Sequence, residues 1–243
     1  MVTLAYGPGQ INILGLYVAL LAIAPFVLSA MRSRWVLIVL GLSGIVYFWQ
    51  YVHPIRVLPS QSENSFTLLS WQVLFLSGML AGFYRERIKA IYRGRYGGLC
   101  CWTIVTLAVV FWLLALNHPG HDIPGRIRLA WLSESTFYGI YERFFQRTVL
   151  GPGRVLNVLV LAATMYLFLT RFWSAIRRAA GWLLIPIGRS TLAVFVVHLV
   201  FVVAVHHIAL LQQGKLWVNT LAHTVTILII GLLVRSQALR WIR

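Results

Sequence analysis

Runs of about twenty predominantly apolar residues, the length that coils into a helix across the ~30 Å hydrocarbon core of a bilayer, recur along the whole chain. Seven of them stand at 11–30, 34–52, 66–84, 97–116, 152–170, 186–207 and 216–234. No water is present at that depth to satisfy backbone N–H and C=O groups. An open strand would leave them unpaired, so each run is read as a helix. The expected fold class is all-α: a polytopic transmembrane helix bundle of about seven spans, forming a single transmembrane domain over residues 1–243. With 60% hydrophobic and only 11% charged residues, a soluble domain is excluded.

The net charge of +16 does not point to nucleic acid. The basic residues sit in short clusters between apolar runs, as the loops of membrane proteins require, rather than along one stripe. One set of alternate loops carries Arg32 and Arg34; Arg85, Arg87, Lys89, Arg93 and Arg95; Arg171, Arg177, Arg178 and Arg189; and Arg235, Arg240 and Arg243. The other carries half as many: Arg56; Arg126, Arg128, Arg143, Arg147 and Arg154; and Lys215. The positive-inside rule therefore places the C-terminus in the cytoplasm and the N-terminus outside. An outside N-terminus with neither charge nor signal-peptide pattern is natural if an odd number of spans precedes residue 1. The adjacent Cys100 and Cys101 form no disulfide framework and no metal-ligand spacing, and no metal is expected.

Two breaks shape the spans. "SAMRSRW" (29–35) turns the first two into a tight hairpin, and Pro25 is placed to kink the first. Pro186 and Gly188 are expected to separate a short interfacial helix from the sixth span. The one long loop, 117–151, is rich in Trp, Tyr and Phe with alternating charges. It is read as extracytoplasmic, with an amphipathic helix lying at the headgroup layer.

The sixth span poses the sharpest question. His198 lies midway between Arg189 and the pair His206 and His207, near the bilayer midplane, and shares a face with Thr191, Phe195 and Val202. Such a group either serves as a ligand or proton site or is a neutral histidine hydrogen-bonded between helices. The five acids, Glu63, Glu86, Asp122, Glu134 and Glu142, all fall in loops or at span ends. A His–carboxylate dyad within the membrane cannot be built from this chain, and ion-coupled transport is weakened with it.

Other constellations carry two readings each. "HPGHD" (118–122) has the His-x-x-x-Asp spacing of some acyltransferases, but in a Pro/Gly-rich loop it reads better as a solvated turn. "RERIKAIYRGRYGG" (85–98) reads as a topology signal in contact with anionic lipid, with a docking surface for the phosphates of coenzyme A as the alternative. Ser65 is placed to cap the third span, Gln72 must be hydrogen-bonded if buried, and Gly78 and Gly82 form a small-xxx-small face. Arg154 and Asn157, at i and i+3, are suited to an anionic or sugar ligand. Arg154 serves equally as a snorkelling anchor, the slightly preferred account.

The segments "INILGLYVALLAIAPFVLSAMR" (11–32), "FTLLSWQVLFLSGMLAGF" (66–83), "RTVLGPGRVLNVLVLA" (147–162) and "IGRSTLAVFVVHLVF" (187–201) resemble, in order, four segments of the OpgC proteins. These are bacterial inner-membrane proteins of the acyltransferase family 3 superfamily, associated with succinylation of osmoregulated periplasmic glucans. The resemblance implies a multi-pass protein of the inner membrane with about ten spans crossing the bilayer. It implies an acyl-CoA donor, succinyl-CoA, on the cytoplasmic side, a periplasmic glucan or other glycan as acceptor, and no bound cofactor. The matching polar positions are Tyr17, Trp71, Gln72, Arg154, Asn157, Gly188, Arg189, Ser190 and His198. All but Gly188 are the candidate site-lining residues.

Two departures qualify it. Asn12 and Gly15 stand where the family tends to have Asp and Pro. The family also begins with a span bearing an Arg-Gly pair and a His, regarded as its catalytic region, and nothing here matches it. The expectation is therefore the C-terminal seven spans of a ten-span fold, with catalysis depending on an N-terminal part such as a separately encoded half, and with no catalytic residue assigned. The alternative is a non-enzymatic polytopic membrane protein, a small transporter or an assembly subunit, in which His198 only packs.

Overall fold

The computed structural model describes residues 12–33, 35–55, 57, 67–120, 128–206 and 216–236. Among them every regular element is an α-helix: α1 (Asn12–Met31), α2 (Val36–Val52), α3 (Leu68–Phe83), α4 (Arg85–Arg93), α5 (Gly97–Ala115), α6 (Glu134–Phe144), α7 (Pro152–Arg189), α8 (Thr191–His206) and α9 (Leu216–Arg235). Three stretches, Gly97–Ala115, Pro152–Arg189 and Trp217–Arg235, are long and apolar enough to cross a membrane; Gly15–Met31, Val36–Val52, Leu68–Phe83 and Thr191–Phe201 are apolar but shorter. Large apolar side chains stand open in a way that no water-soluble surface tolerates. Phe26, Leu37 and Trp102 are 76%, 75% and 73% exposed.

The chain divides into two compact units, the first ending at Leu167 and the second starting at Phe168, inside α7. In the first, α1, α2 and α3 pack on one another. Leu16, Leu20, Met31, Tyr47 and Leu76 are buried there. Ser33 closes α1: its hydroxyl donates to the Ala30 carbonyl (3.0 Å) and accepts from the Trp35 N–H (3.3 Å), making the tight turn into α2. α1 runs on through Pro25.

Several polar groups of these apolar helices are paired, although fully buried Ser70 Oγ in α3 has no hydrogen-bond partner among the described residues. Ser43 Oγ donates to Gln72 Oε1 (2.7 Å), and Gln72 Nε2 returns a bond to the Ser43 carbonyl (2.9 Å), joining α2 to α3. Fully buried Gln50 exchanges two bonds with the backbone of Ile55, at 3.1 and 3.3 Å. α4 follows α3 without a linker beyond Tyr84 and is strongly basic. Glu86 is bridged there by Lys89 (2.9 Å) and Arg85 (3.3 Å). The hydrogen bond from Lys89, aided by its charge, holds the Glu86 carboxyl below the usual carboxylate range.

In the second unit α8 packs on α9. A side chain at Gly231 would run into Leu183 near the end of α7, so glycine permits that close approach.

Sequence and structure differ on two points. The sixth span was expected from 186, after a break at Pro186. Instead α7 continues through Pro186 to Arg189, and the break falls at Ser190. The intervening "RFWSAIRRAA" contains good helix formers and no breaker. The Ser190 N–H closes on the Ile187 carbonyl (3.1 Å), and its own carbonyl accepts the first bond of α8 from Val194 (2.9 Å). Gly78 and Gly82, expected to pack closely, have open space where a Cβ would stand.

Candidate functional site

The described residues after α5 form a wall of the first unit, held chiefly through one buried side chain. Asn117, 3% exposed, is the keystone. Its amide donates to the Leu113 carbonyl (2.8 Å), and its Oδ1 accepts from the N–H groups of Trp131 (2.7 Å) and Leu132 (3.1 Å). Replacing Asn117 by alanine leaves two part-buried amides without this acceptor, at a cost of about 0.5–1.5 kcal/mol for each bond. Hydrogen exchange at Trp131 and Leu132 is expected to accelerate accordingly. Unchanged protection would show that water replaces the side chain.

From this wall α6 begins. Ser133 caps it by accepting from the Thr136 N–H (3.2 Å), and Glu134 in the first turn suits the helix dipole. Phe137, Tyr141 and Phe145 repeat every four residues along one side. Phe137 is buried and stacks on Tyr141 at 6.3 Å, while Tyr138 and Phe144 stand exposed. The aromatic content expected to face headgroups is thus divided, one stripe turned inward.

The stretch 143–150 then turns back into α7, held from several sides. Tyr47 Oη donates to the Leu150 carbonyl (2.8 Å), Tyr51 Oη to the Arg143 carbonyl, and Thr67 Oγ1 to the Thr148 carbonyl (3.4 Å). Leu150, buried and at φ 53°, takes a left-handed conformation that leucine adopts only when its surroundings enforce it.

These elements enclose a cavity of about 450 Å³ lined by Phe111, Leu114, Ala115, His118, Phe137, Ile140, Tyr141, Phe145, Arg154, Asn157 and Val158. Arg154, in the first turn of α7, donates from Nε to the Phe145 carbonyl (3.0 Å) and from Nη2 to Tyr141 Oη (3.3 Å). His118 Nδ1 accepts from the Gly120 N–H (3.0 Å), and its ring meets Phe137 edge-on at 5.2 Å. The remaining nitrogen, Nε2, is thereby left as the donor of a neutral imidazole.

Of the residues singled out from sequence, Arg154 and Asn157 share this cavity. Gln72 lies elsewhere in the unit, beside a smaller apolar cavity of about 240 Å³ that also meets Ser43, Leu20 and Phe75. Trp71 is half-buried next to Gln72, and Tyr17 on α1 is 49% exposed. In the second unit Ser190 is buried, whereas Arg189 and His198 are exposed. Asp122, the acid of "HPGHD", lies outside the described residues, as do Ser65 and His207. No group of three or more His, Cys, Asp or Glu side chains gathers among the described residues. Sequence reading missed Tyr141 and the three phenylalanines, although the spacing of Phe137, Tyr141 and Phe145 was there to be read.

Apolar helices of membrane length and exposed apolar side chains along them define a helical membrane protein. The family model described as OpgC protein matches residues 1–242, and the chain belongs to the OpgC family. No curated protein and no solved structure matches it.

Proposed function

We propose that this chain is the acceptor-side scaffold of an integral acyltransferase in the bacterial inner membrane, moving a succinyl group from cytoplasmic succinyl-CoA to a hydroxyl of a periplasmic glycan. The observation that carries the reading is the cavity. Aromatic faces at Phe111, Phe137 and Phe145 suit the C–H faces of a sugar ring, and Arg154, Asn157 and Tyr141 offer directional partners for hydroxyl groups. Family membership supports the reaction class. In the seven-span topology that the basic loops favour, 117–151 and the start of α7 face the periplasm, where the acceptor is.

The reaction is attack of a sugar oxygen on the thioester carbonyl. A C–O bond forms, the C–S bond breaks, the hydroxyl proton passes to a general base, and coenzyme A leaves as the thiol. No residue of this chain is assigned as that base. Arg189, Ser190 and His198, at the expected cytoplasmic edge and middle of the sixth run, are the candidates for guiding the donor.

The test uses membranes of a bacterium lacking its own OpgC protein. The chain is supplied alone or with the N-terminal spans of an OpgC protein, and transfer of labelled succinate from succinyl-CoA to glucan is measured. Transfer is expected with those spans present, and Asn157→Ala together with Tyr141→Phe should lower it about tenfold or more through lost hydrogen bonds. Absence of transfer in every combination would defeat the proposal. Substrate-dependent flux without transfer would favour a small transporter.

A further inference from the structure

Among the described residues no carboxylate lies within ion-pair distance of Arg154. The two bonds it makes go to neutral oxygens, the Phe145 carbonyl and the Tyr141 hydroxyl. Among the described residues the ion pairs involve Glu86 alone, and neither Glu134 nor Glu142 reaches Arg154. Its guanidinium lines a cavity whose other walls are chiefly aromatic and aliphatic. Partly buried among apolar groups, such a charge gains from an anionic partner. The start of α7, where Arg154 sits, adds the positive end of the helix dipole. His118 contributes no negative charge, and Asn157 adds an amide donor.

We infer that the cavity takes a ligand bearing an oxyanion, a carboxylate or a phosphate, with Arg154 binding that group and the aromatic walls holding the body of the molecule. The fork of a guanidinium already anchored at Nε and at one Nη presents its remaining N–H donors in a fixed plane, the geometry that oxyanions accept. The inference deepens the acceptor reading above and rests on it in one respect, the glycan nature of the body. The oxyanion has two possible sources, a soluble acidic glycan or the headgroup of an anionic lipid.

The full chain in nanodiscs of phosphatidylcholine is titrated with a glucan tetrasaccharide carrying one carboxylate and with its uncharged parent. The charged sugar is expected to bind about tenfold to a hundredfold tighter at low salt, the range of a charge-assisted hydrogen bond. Arg154→Gln should abolish that preference and Arg154→Lys keep part of it. Asn157→Asp, which leaves both anchoring bonds of Arg154 in place, should reverse it. Equal binding of the two sugars by the unmodified chain, or a preference that survives Arg154→Gln, overturns the inference. A lipid source shows as phosphatidylglycerol retained in native mass spectra by the unmodified chain and lost in Arg154→Gln, with neither sugar bound. That outcome upholds the oxyanion site while defeating the acceptor reading. If neither sugar binds and lipid retention is the same in both proteins, the inference fails.

Discussion

Alanine at Gly97 is expected to cut the yield of folded protein sharply and to lower its thermal midpoint in detergent by the equivalent of about 3 kcal/mol, the upper part of the overpacking range. Gly97 is buried where α4 turns into α5, and a Cβ there would run into the backbone carbonyl of Tyr92. Backbone cannot yield as a side chain can. The turn is also fixed on both sides, by the Gly94 N–H on the Ile91 carbonyl (3.1 Å) and the Gly97 N–H on the Gly94 carbonyl (3.0 Å). The adjacent Gly98 is the control, since nothing lies within 4 Å of a Cβ built on it. Gly98→Ala should leave the midpoint unchanged or raise it by a few tenths of a kcal/mol through helix propensity. Equal behaviour of the two variants, followed by size-exclusion fluorescence against temperature, would show that the corner adapts.

Much of the architecture was legible because apolar length is itself the physical requirement in a bilayer. α1, α2, α3, α5 and α9 begin and end within two residues of the expected runs. The turn at 32–35 was readable from its charges and its serines. What failed was punctuation. Pro186 reads as a breaker in water. Within α7, however, it removes one donor from a long helix whose neighbouring turns stay bonded, and the break waits for Ser190, a natural cap. Gly78 and Gly82 show the converse: the small-xxx-small spacing is written in α3, but nothing described lies within 4 Å of a Cβ built on either glycine.

The site was legible in part. Arg154 and Asn157 at i and i+3 on α7 declared a shared face, and they do line one cavity. The other wall was harder to see. Phe137, Tyr141 and Phe145 lie in a loop rich in aromatic residues throughout, so composition favoured a headgroup helix over an inward stripe. Only long-range bonds decide which way the loop folds: Asn117 to Trp131 and Leu132, Tyr47 to Leu150, Tyr51 to Arg143. Such pairings join residues up to about a hundred positions apart, and local periodicity carries no trace of them. His198 is the opposite case, conspicuous in the sequence yet exposed in the structure.

Gly151→Ala is the second large effect expected, and it links stability to the cavity. Gly151 is buried, and a Cβ there would strike the carbonyl group of Phe144 and crowd the amide of Gln146 (3.1 Å). Gly153 behind it already abuts the ring of Phe145, whose Cζ lies 2.9 Å from where a Cβ would stand. The Gly151 N–H also closes the turn on the Gln146 carbonyl (3.0 Å), beside the left-handed Leu150. The turn cannot widen without moving Phe145, and the Phe145 carbonyl is the anchor of Arg154 Nε. Overpacking of this kind costs about 1–3 kcal/mol, so the thermal midpoint should fall. The charged tetrasaccharide should lose at least about tenfold in affinity as the guanidinium loses its anchor. Gly139→Ala, in the middle of α6 with open space around its Cβ, is the matched control. It should stabilise by about 0.5–1 kcal/mol through backbone entropy and leave binding unchanged. A Gly151→Ala protein that melts lower yet binds the charged sugar as before would separate the turn from the cavity and refute the linkage, because residue 151 reaches Arg154 both through Phe145 and through the Arg154 N–H on the Gly151 carbonyl (2.9 Å).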